Sequence, residues 1–102
     1  MNRKQLEDAR PYLEKKLRSS NYRLLFEEEK AKTEIARLVR TAREHAGLSQ
    51  RELAKRAKTT QAVVARLELG TDQRMPSLAL IARLLHAAGA KLELVCKFKD
   101  VA

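Results

Sequence analysis

The sequence predicts a mainly α-helical fold of five helices, followed by one β-strand near the C-terminus. Three observations lead to this fold class. Apolar residues recur at three- and four-residue spacing through most of the chain, as on one face of an amphipathic helix. Ser or Thr precedes three of these segments and glycine follows three of them, and such residues begin and end helices. From Lys91 to Phe98, apolar and polar residues instead alternate, which is typical of a strand.

Length and charge narrow the classes of function. A chain of 102 residues is long enough for one compact domain and one extra arm. Its 22 basic and 13 acidic residues give a net charge of +9, which fits a polyanionic partner. The excess is +3 in residues 1–33, +5 in residues 34–89 and +1 in residues 90–102. Charge alone equally fits RNA, a membrane surface or an acidic protein.

Other features of composition favour a cytoplasmic protein with no membrane segment. No apolar run approaches the roughly 20 residues of a membrane span, and no signal-peptide pattern is present. Cys96 is the single cysteine, so an internal disulfide is impossible, which is compatible with a reducing cytosol. The scarcity of aromatic residues argues against a single-strand RNA binder that stacks bases.

Residues 1–33 are predicted to form an N-terminal arm. A short helix is expected from Pro11 to Arg18, with proline at its first position. Ser19, Ser20 or Asn21 then caps a longer helix that ends at His45 or Ala46, before Gly47. The arm is either a solvated tail or a partner-binding segment. Its candidate contact residues for a partner are Tyr12, Leu17, Tyr22, Leu25, Phe26 and Glu28.

The segment from Ser49 to Gly70 predicts two short helices joined by a tight turn. Ser49 and Glu52 have the spacing of a capping box, and Leu53, Ala54 and Ala57 follow on one face. Lys58-Thr59-Thr60 interrupts the pattern, and either threonine can cap the second helix. In that helix Val64 and Leu67 share an inward face, and Gly70 ends it. This is the layout of a DNA-binding helix-turn-helix.

The outward face of the second helix has side chains suited to DNA bases. If Val64 points inward, then Gln61, Ala62, Ala65 and Arg66 point outward. Glutamine can bond adenine, arginine can bond guanine, and alanine methyl groups can contact thymine methyl groups. The alternative is an ordinary two-helix segment of a bundle whose Gln61 and Arg66 are solvated.

The stretch GLSQRELAKRAKTTQAVVARLELG, residues 47–70, closely resembles the Cro/repressor-type (XRE) helix-turn-helix family. The resemblance covers roughly residues 35–88 and implies a five-helix domain that binds operator DNA. It implies that Gln50 and Thr60 clamp phosphates, that Gln61 contacts a base, and that Arg43 pairs with Glu68. Ala62, Val63 and Ala65 stand where many relatives have polar residues. The DNA-contact candidates are Ser49, Gln50, Arg51, Thr59, Thr60, Gln61, Ala62, Ala65, Arg66 and, from the following loop, Arg74.

After Ser77, a cap for a fifth helix, Leu78, Ile81, Ala82, Leu84 and Leu85 are expected to pack inward, and Gly89 ends this helix. Residues 90–102 follow as a dimerisation strand and tail, with a row of candidate contacts at Leu92, Leu94, Cys96 and Phe98. A lone strand leaves unpaired edges, so its partner is either the same strand of a second copy or a strand of another protein.

The arm and the ending LLHAAGAKLELVCKF look like those of HigA-type antitoxins, and GAKLELVCKF is similar to the dimerising strand of HipB-type antitoxins. The resemblance implies a homodimer that binds an inverted-repeat operator and sequesters a toxin, commonly an mRNA-cleaving RelE-fold ribonuclease. The runner-up is a free-standing phage or mobile-element repressor without a toxin. A third hypothesis is a protein-binding adaptor that no longer binds DNA.

No pattern in the sequence indicates an enzyme, a cofactor or a metal site. His45 and His86 lie far apart and lack acidic or cysteine neighbours at metal-ligand spacing. Cys96 has no histidine-based activation pattern, and the glycines form no phosphate-binding loop.

Overall fold

A computed structural model describes residues 2–18, 20–70 and 74–99. Within them lie five α-helices: α1 Arg3–Arg18, α2 Ser20–His45, α3 Gln50–Arg56, α4 Gln61–Leu69 and α5 Leu78–Ala87. The chain divides into two units, residues 1–34 and residues 35–102. The prediction of a mainly helical chain with five helices is confirmed.

Helix α1 begins eight residues before the predicted start, so the prediction that it starts at Pro11 is wrong. Its N-terminus is closed by reciprocal bonds: the Gln5 N–H donates to Asn2 Oδ1 at 2.7 Å, and the Asn2 N–H donates to Gln5 Oε1 at 2.9 Å. This is a capping box, which satisfies two backbone donors that the helix leaves free. Pro11 therefore lies inside the helix, although it removes a backbone donor there.

Helices α3, α4 and α5 pack around one core in the unit of residues 35–102. Val39 of α2, Leu53 of α3, Val64 of α4 and Leu84 of α5 are each at most 1% exposed. The rest of the cluster is smaller or less deeply buried: Leu48, Ala54, Ala57, Leu67, Ile81, Leu85 and Ala88. The small Ala54 of α3 and Ala57 at its C-cap allow close packing of the neighbouring helix.

Two apolar residues of α5 that were expected to face the core are exposed, and so is one leucine of α2. Leu78 and Ala82 lie on the outer side of α5, because Ile81, Leu84, Leu85 and Ala88 form its buried stripe. Leu38 of α2 is 50% exposed. The spacing correctly predicts helices here, but each apolar stripe in the structure is narrower than the sequence suggests.

The turn between α3 and α4 has the hydrogen bonds of a Schellman motif. The Thr59 N–H donates to the Ala54 carbonyl at 2.9 Å, and the Lys58 N–H donates to the Lys55 carbonyl at 3.3 Å. This motif needs a left-handed residue after the C-cap, and glycine usually fills that position. Here Lys58 fills it, with φ of 58°. A side chain in this region costs backbone free energy.

The substitution Lys58→Gly is therefore expected to raise the free energy of unfolding by up to about 1 kcal/mol, because it removes the left-handed strain. Lys58→Val is expected to lower the same quantity, since β-branched residues tolerate positive φ least. Urea denaturation of the two variants and the wild type measures both changes. Equal stability of Lys58→Gly and Lys58→Val would contradict this account of the turn.

Residues 90–99 form no helix, turn or β-strand, so the prediction of a strand in this segment is wrong for the single chain. A strand is defined by hydrogen bonds to a neighbouring strand, and a single chain of this sequence offers no second one in its described part. The segment is anchored at its start, where the Ala90 N–H donates to the Leu85 carbonyl at 2.8 Å and Leu92 packs against the core. Beyond Leu92 it is exposed.

Among the described helices, none combines the length and apolar character needed to cross a bilayer.

Candidate nucleic-acid interface

The N-termini of α3 and α4 are both capped by hydroxyl side chains. Ser49 Oγ accepts from the Glu52 N–H at 3.0 Å, and Glu52 Oε1 accepts from the Ser49 N–H at 3.1 Å, which completes the predicted capping box. The bond from the Ser49 N–H, aided by the Ser49 hydroxyl, holds the pKa of Glu52 below its ordinary value. The stability that the ionised Glu52 side chain adds to the fold is therefore present above the ordinary carboxyl pKa and is lost as the pH falls. Thr60 Oγ1 accepts from the Val63 N–H at 3.3 Å.

Helix α4 turns one face to the core and one to solvent. Val64 and Leu67 are buried, whereas Gln61, Ala62 and Arg66 are exposed. Ala65 and Val63 are half-buried at the two boundaries. The exposed face thus has one amide and one guanidinium group beside small methyl groups, with Leu69, 67% exposed, at its C-terminal end. A helix of this kind can enter a major groove with few groups that clash with base edges.

A buried carboxylate at the end of α4 ties this helix to α2. The Glu68 side chain is 1% exposed and meets the Arg43 guanidinium in two parallel bonds: Nε to Oε2 at 2.7 Å and Nη2 to Oε1 at 2.9 Å. Arg43 Nη1 also donates to the Leu48 carbonyl at 2.8 Å. The bonds with Glu68 raise the pKa of Arg43 against the opposing effect of burial, so the guanidinium stays charged. Bidentate pairs of this geometry fix orientation as well as charge.

Two further side chains join this network. Gln50 Nε2 of α3 lies 3.4 Å from Glu68 Oε1, a long hydrogen bond. Arg40 Nη2 donates to the Glu68 carbonyl at 3.1 Å, and Arg40 Nε lies 3.8 Å from Glu68 Oε1. Arg40 was missed by sequence reasoning, although its position one helical turn before Arg43 could have indicated it. Glu68 therefore joins α4 to both α2 and α3.

The remaining DNA-contact candidates are exposed or half-buried. Ser49, Arg51 and Thr60 are exposed, and Thr59 is half-buried. Arg74 is exposed on the segment before α5. Residues 71–73 of the predicted loop lie outside the described part of the chain.

Residues 39–95, more than half of the chain, match the family model described as Helix-turn-helix. The chain belongs to the XRE-type helix-turn-helix family. No curated protein and no solved structure matches this helix-turn-helix protein significantly.

Membership in this family makes the chain a DNA-binding protein and points to a role in transcription regulation. The family is not enzymatic, so the prediction of a protein without enzymatic activity is confirmed. Among the described residues, no group of three or more His, Cys, Asp or Glu side chains could hold a metal ion.

The candidate partner residues of the helix-turn-helix protein's arm lie on α1 and α2. Tyr12, Leu25 and Phe26 are 62%, 56% and 58% exposed, and Tyr22 and Glu28 are also exposed. The side chain of Leu17 lies outside the described residues. Of the dimerisation candidates, Leu92 is half-buried against the core, whereas Leu94, Cys96 and Phe98 are exposed.

Proposed function

We propose that this helix-turn-helix protein is the antitoxin of a type II toxin–antitoxin pair. It binds an inverted-repeat operator as a homodimer and represses its own transcription. It also neutralises a RelE-fold toxin that cleaves mRNA. The observation that supports the DNA-binding part most strongly is the exposed face of α4, with Gln61 and Arg66, on a helix held through Glu68.

The chemistry of each side chain indicates whether it would contact a base or the phosphate backbone. Gln61 and Arg66 contact base edges, while the Ala62 and Ala65 methyl groups favour thymine. Ser49, Gln50, Arg51, Thr59, Thr60 and Arg74 contact the phosphate backbone. The Gln50 side-chain amide donates one hydrogen to Glu68, and its second hydrogen can be donated to a phosphate.

The Gln61→Ala variant tests base contact. We expect it to weaken binding to the preferred operator by roughly 1–3 kcal/mol and to relax preference at one base pair. The matched control is Gln50→Ala, which should weaken binding to preferred and unrelated duplexes more evenly. Fluorescence anisotropy on both duplexes at one fixed salt concentration measures the two effects. If Gln61→Ala changed neither affinity nor preference, α4 would not be the base-contacting helix.

The homodimer is supported by the alternating segment at residues 90–99, whose backbone has no neighbouring strand among the described residues. Pairing with the same segment of a second copy would satisfy those groups on both chains.

The toxin-binding part of the proposal rests on the arm. Tyr22, Leu25 and Phe26 fall on one side of α2, next to an acidic run at residues 27–29. Large apolar side chains beside acidic residues fit the basic, RNA-binding surface of a ribonuclease. A run of glutamates would by contrast repel DNA phosphates.

Deleting residues 1–30 is expected to abolish neutralisation of the cognate toxin and to leave operator binding intact, because the core begins at Ile35. Phe26→Ser should weaken toxin binding, and Leu24→Ser is its matched control. Leu24 is also exposed, at 60%, but falls on the opposite side of the helix. Titration calorimetry with the toxin and anisotropy with the operator give the two readouts. A deletion that destroyed operator binding and spared toxin binding would refute the assignment of the arm.

The runner-up function is a free-standing phage or mobile-element repressor. The same α4 face supports it, because DNA binding does not require a toxin. A neighbouring reading frame for a small basic ribonuclease distinguishes the antitoxin from this alternative.

A further inference from the structure

A groove of about 550 Å³ opens on the surface of the unit of residues 35–102. Its apolar walls come from α2, from the end of α5 and from the segment that follows α5. The lining side chains that matter here are Leu38, Ala42, Leu85, Ala90 and Leu92. Leu38 is 50% exposed on this surface, and Leu92 is half-buried in it.

The C-terminal segment has an apolar row that starts in this groove and continues beyond it. When this segment pairs as a strand, its side chains alternate between two faces, and Leu94, Cys96 and Phe98 share the face of Leu92. Leu94 is 74% exposed and Phe98 is 93% exposed. Lys91 and Glu93 also border the groove, and Lys91 Nζ lies 3.7 Å from Glu93 Oε1.

The sequence favours one register for two such segments paired antiparallel around a two-fold axis. The two apolar rows face each other only when one residue lies opposite its own copy across the two-fold axis. We call this an axis at that residue. An axis at Val95 sets Glu93 opposite Lys97 of the second copy, and this opposite-charge pair occurs twice. The same register sets Leu92 opposite Phe98 of the second copy.

The two neighbouring registers are less favourable. An axis at Leu94 sets Lys91 opposite Lys97 of the second copy, a like-charge pair that occurs twice. An axis at Cys96 also forms an opposite-charge pair, Glu93 with Lys99 of the second copy, but it sets Val95 opposite Lys97. It also sets the apolar Leu92 opposite Asp100 and moves Phe98 away from Leu92. With the axis at Val95, Lys91 and Lys99 of the second copy are opposite only at the ends of the ribbon.

We propose that two copies pair their C-terminal segments antiparallel about Val95 and that Phe98 of each copy inserts into the other copy's groove. The occupant follows from the register, because the residue opposite Leu92 lies beside the groove that Leu92 lines. This inference rests on the proposed homodimer and specifies its register and its apolar contact.

Disulfide cross-linking tests the register in the full chain. Directly opposite residues have Cα atoms about 4.5–5.5 Å apart, within the range that a disulfide bridges. Diagonal residues are about 7–8 Å apart, which is outside it. We therefore expect Val95→Cys in a Cys96→Ser background to form a covalent dimer under mild oxidation. In the wild type, Cys96 lies diagonal to Cys96 of the second copy, so the wild-type dimer should remain non-covalent. Cross-linking of the wild type but not of the Val95→Cys variant would overturn the register.

Sedimentation of point variants tests the groove. Phe98→Ala should raise the dimer dissociation constant by about 100-fold or more, because both copies lose a buried aromatic contact. Leu38→Ala should raise it by about tenfold or more. The matched control is Leu78→Ala, which truncates another exposed leucine of the same unit that does not line the groove. It should leave the constant unchanged.

The outcomes separate the two proposals. A wild type that sediments only as a monomer overturns the homodimer and this inference together. A dimer that Phe98→Ala and Leu38→Ala do not weaken overturns the groove contact and leaves the homodimer standing.

Discussion

Arg43→Met is expected to lower the free energy of unfolding by about 3–5 kcal/mol, because it leaves the carboxylate of Glu68 buried without its principal partner. The Glu68 side chain is 1% exposed, and that of Arg43 is 14% exposed, so water replaces the lost bonds poorly. The Leu48 carbonyl also loses its bond from Arg43 Nη1. Denaturant unfolding followed by circular dichroism measures the change.

Two further variants test the cause of this destabilisation. Arg3→Met breaks a pair whose side chains are 93% and 61% exposed, and it should cost under about 1 kcal/mol. The double variant Arg43→Met/Glu68→Leu should be more stable than Arg43→Met alone, since no buried charge remains. Additive losses in the double variant would show that Arg43 and Glu68 act independently.

Truncation after Glu93 is expected to convert the protein to a monomer and to weaken operator binding by about 100-fold or more. A dimer binds its second half-site at high effective concentration, and a monomer loses this advantage. The cut keeps Ala90 and Leu92, which pack against the core, so the helical fold should persist. Truncation after Gly89 would also remove those contacts and is therefore a poorer test.

The matched control for this truncation is removal of residues 100–102 alone. This shorter cut spares the alternating row from Leu92 to Phe98, so both dimerisation and operator affinity should be unchanged. Analytical ultracentrifugation and anisotropy provide the measurements. A tight dimer that survives truncation after Glu93 would contradict dimerisation through the C-terminal segment.

Sequence reasoning was most successful where local signals determine structure. The Ser49–Glu52 capping box, the Thr60 and Ser77 caps and the left-handed Gly70 all follow from short-range chemistry, and the structure has each of them. The start of α1 differs from the prediction because the Asn2–Gln5 capping box, and not proline at the first helical position, begins the helix. Both signals are local, and the capping box determined the start.

Properties that depend on packing were harder to predict. Leu38 fits the helical spacing of apolar residues in α2, but this spacing does not show which neighbour covers its side chain. In the structure Leu38 is half exposed. The Arg43–Glu68 pair joins residues 25 positions apart, so only the family resemblance indicated it. Arg40 lies one helical turn before Arg43, but its bond to the Glu68 carbonyl depends on where α4 ends. The alternating pattern of residues 91–98 predicts a strand, but a strand also needs a hydrogen-bonded neighbour, and the described part of the chain has none.

Selection of bound duplexes from a random DNA pool by the full-length protein tests the central claim most directly. A dimer with α4 as its recognition helix should enrich an inverted repeat whose half-site centres are about 34 Å apart. Affinity for the selected duplex should fall steeply as salt rises, because phosphate contacts release counterions. Recovery of a pool without any enriched sequence, or of a single unrepeated site, would contradict a dimeric, sequence-specific repressor.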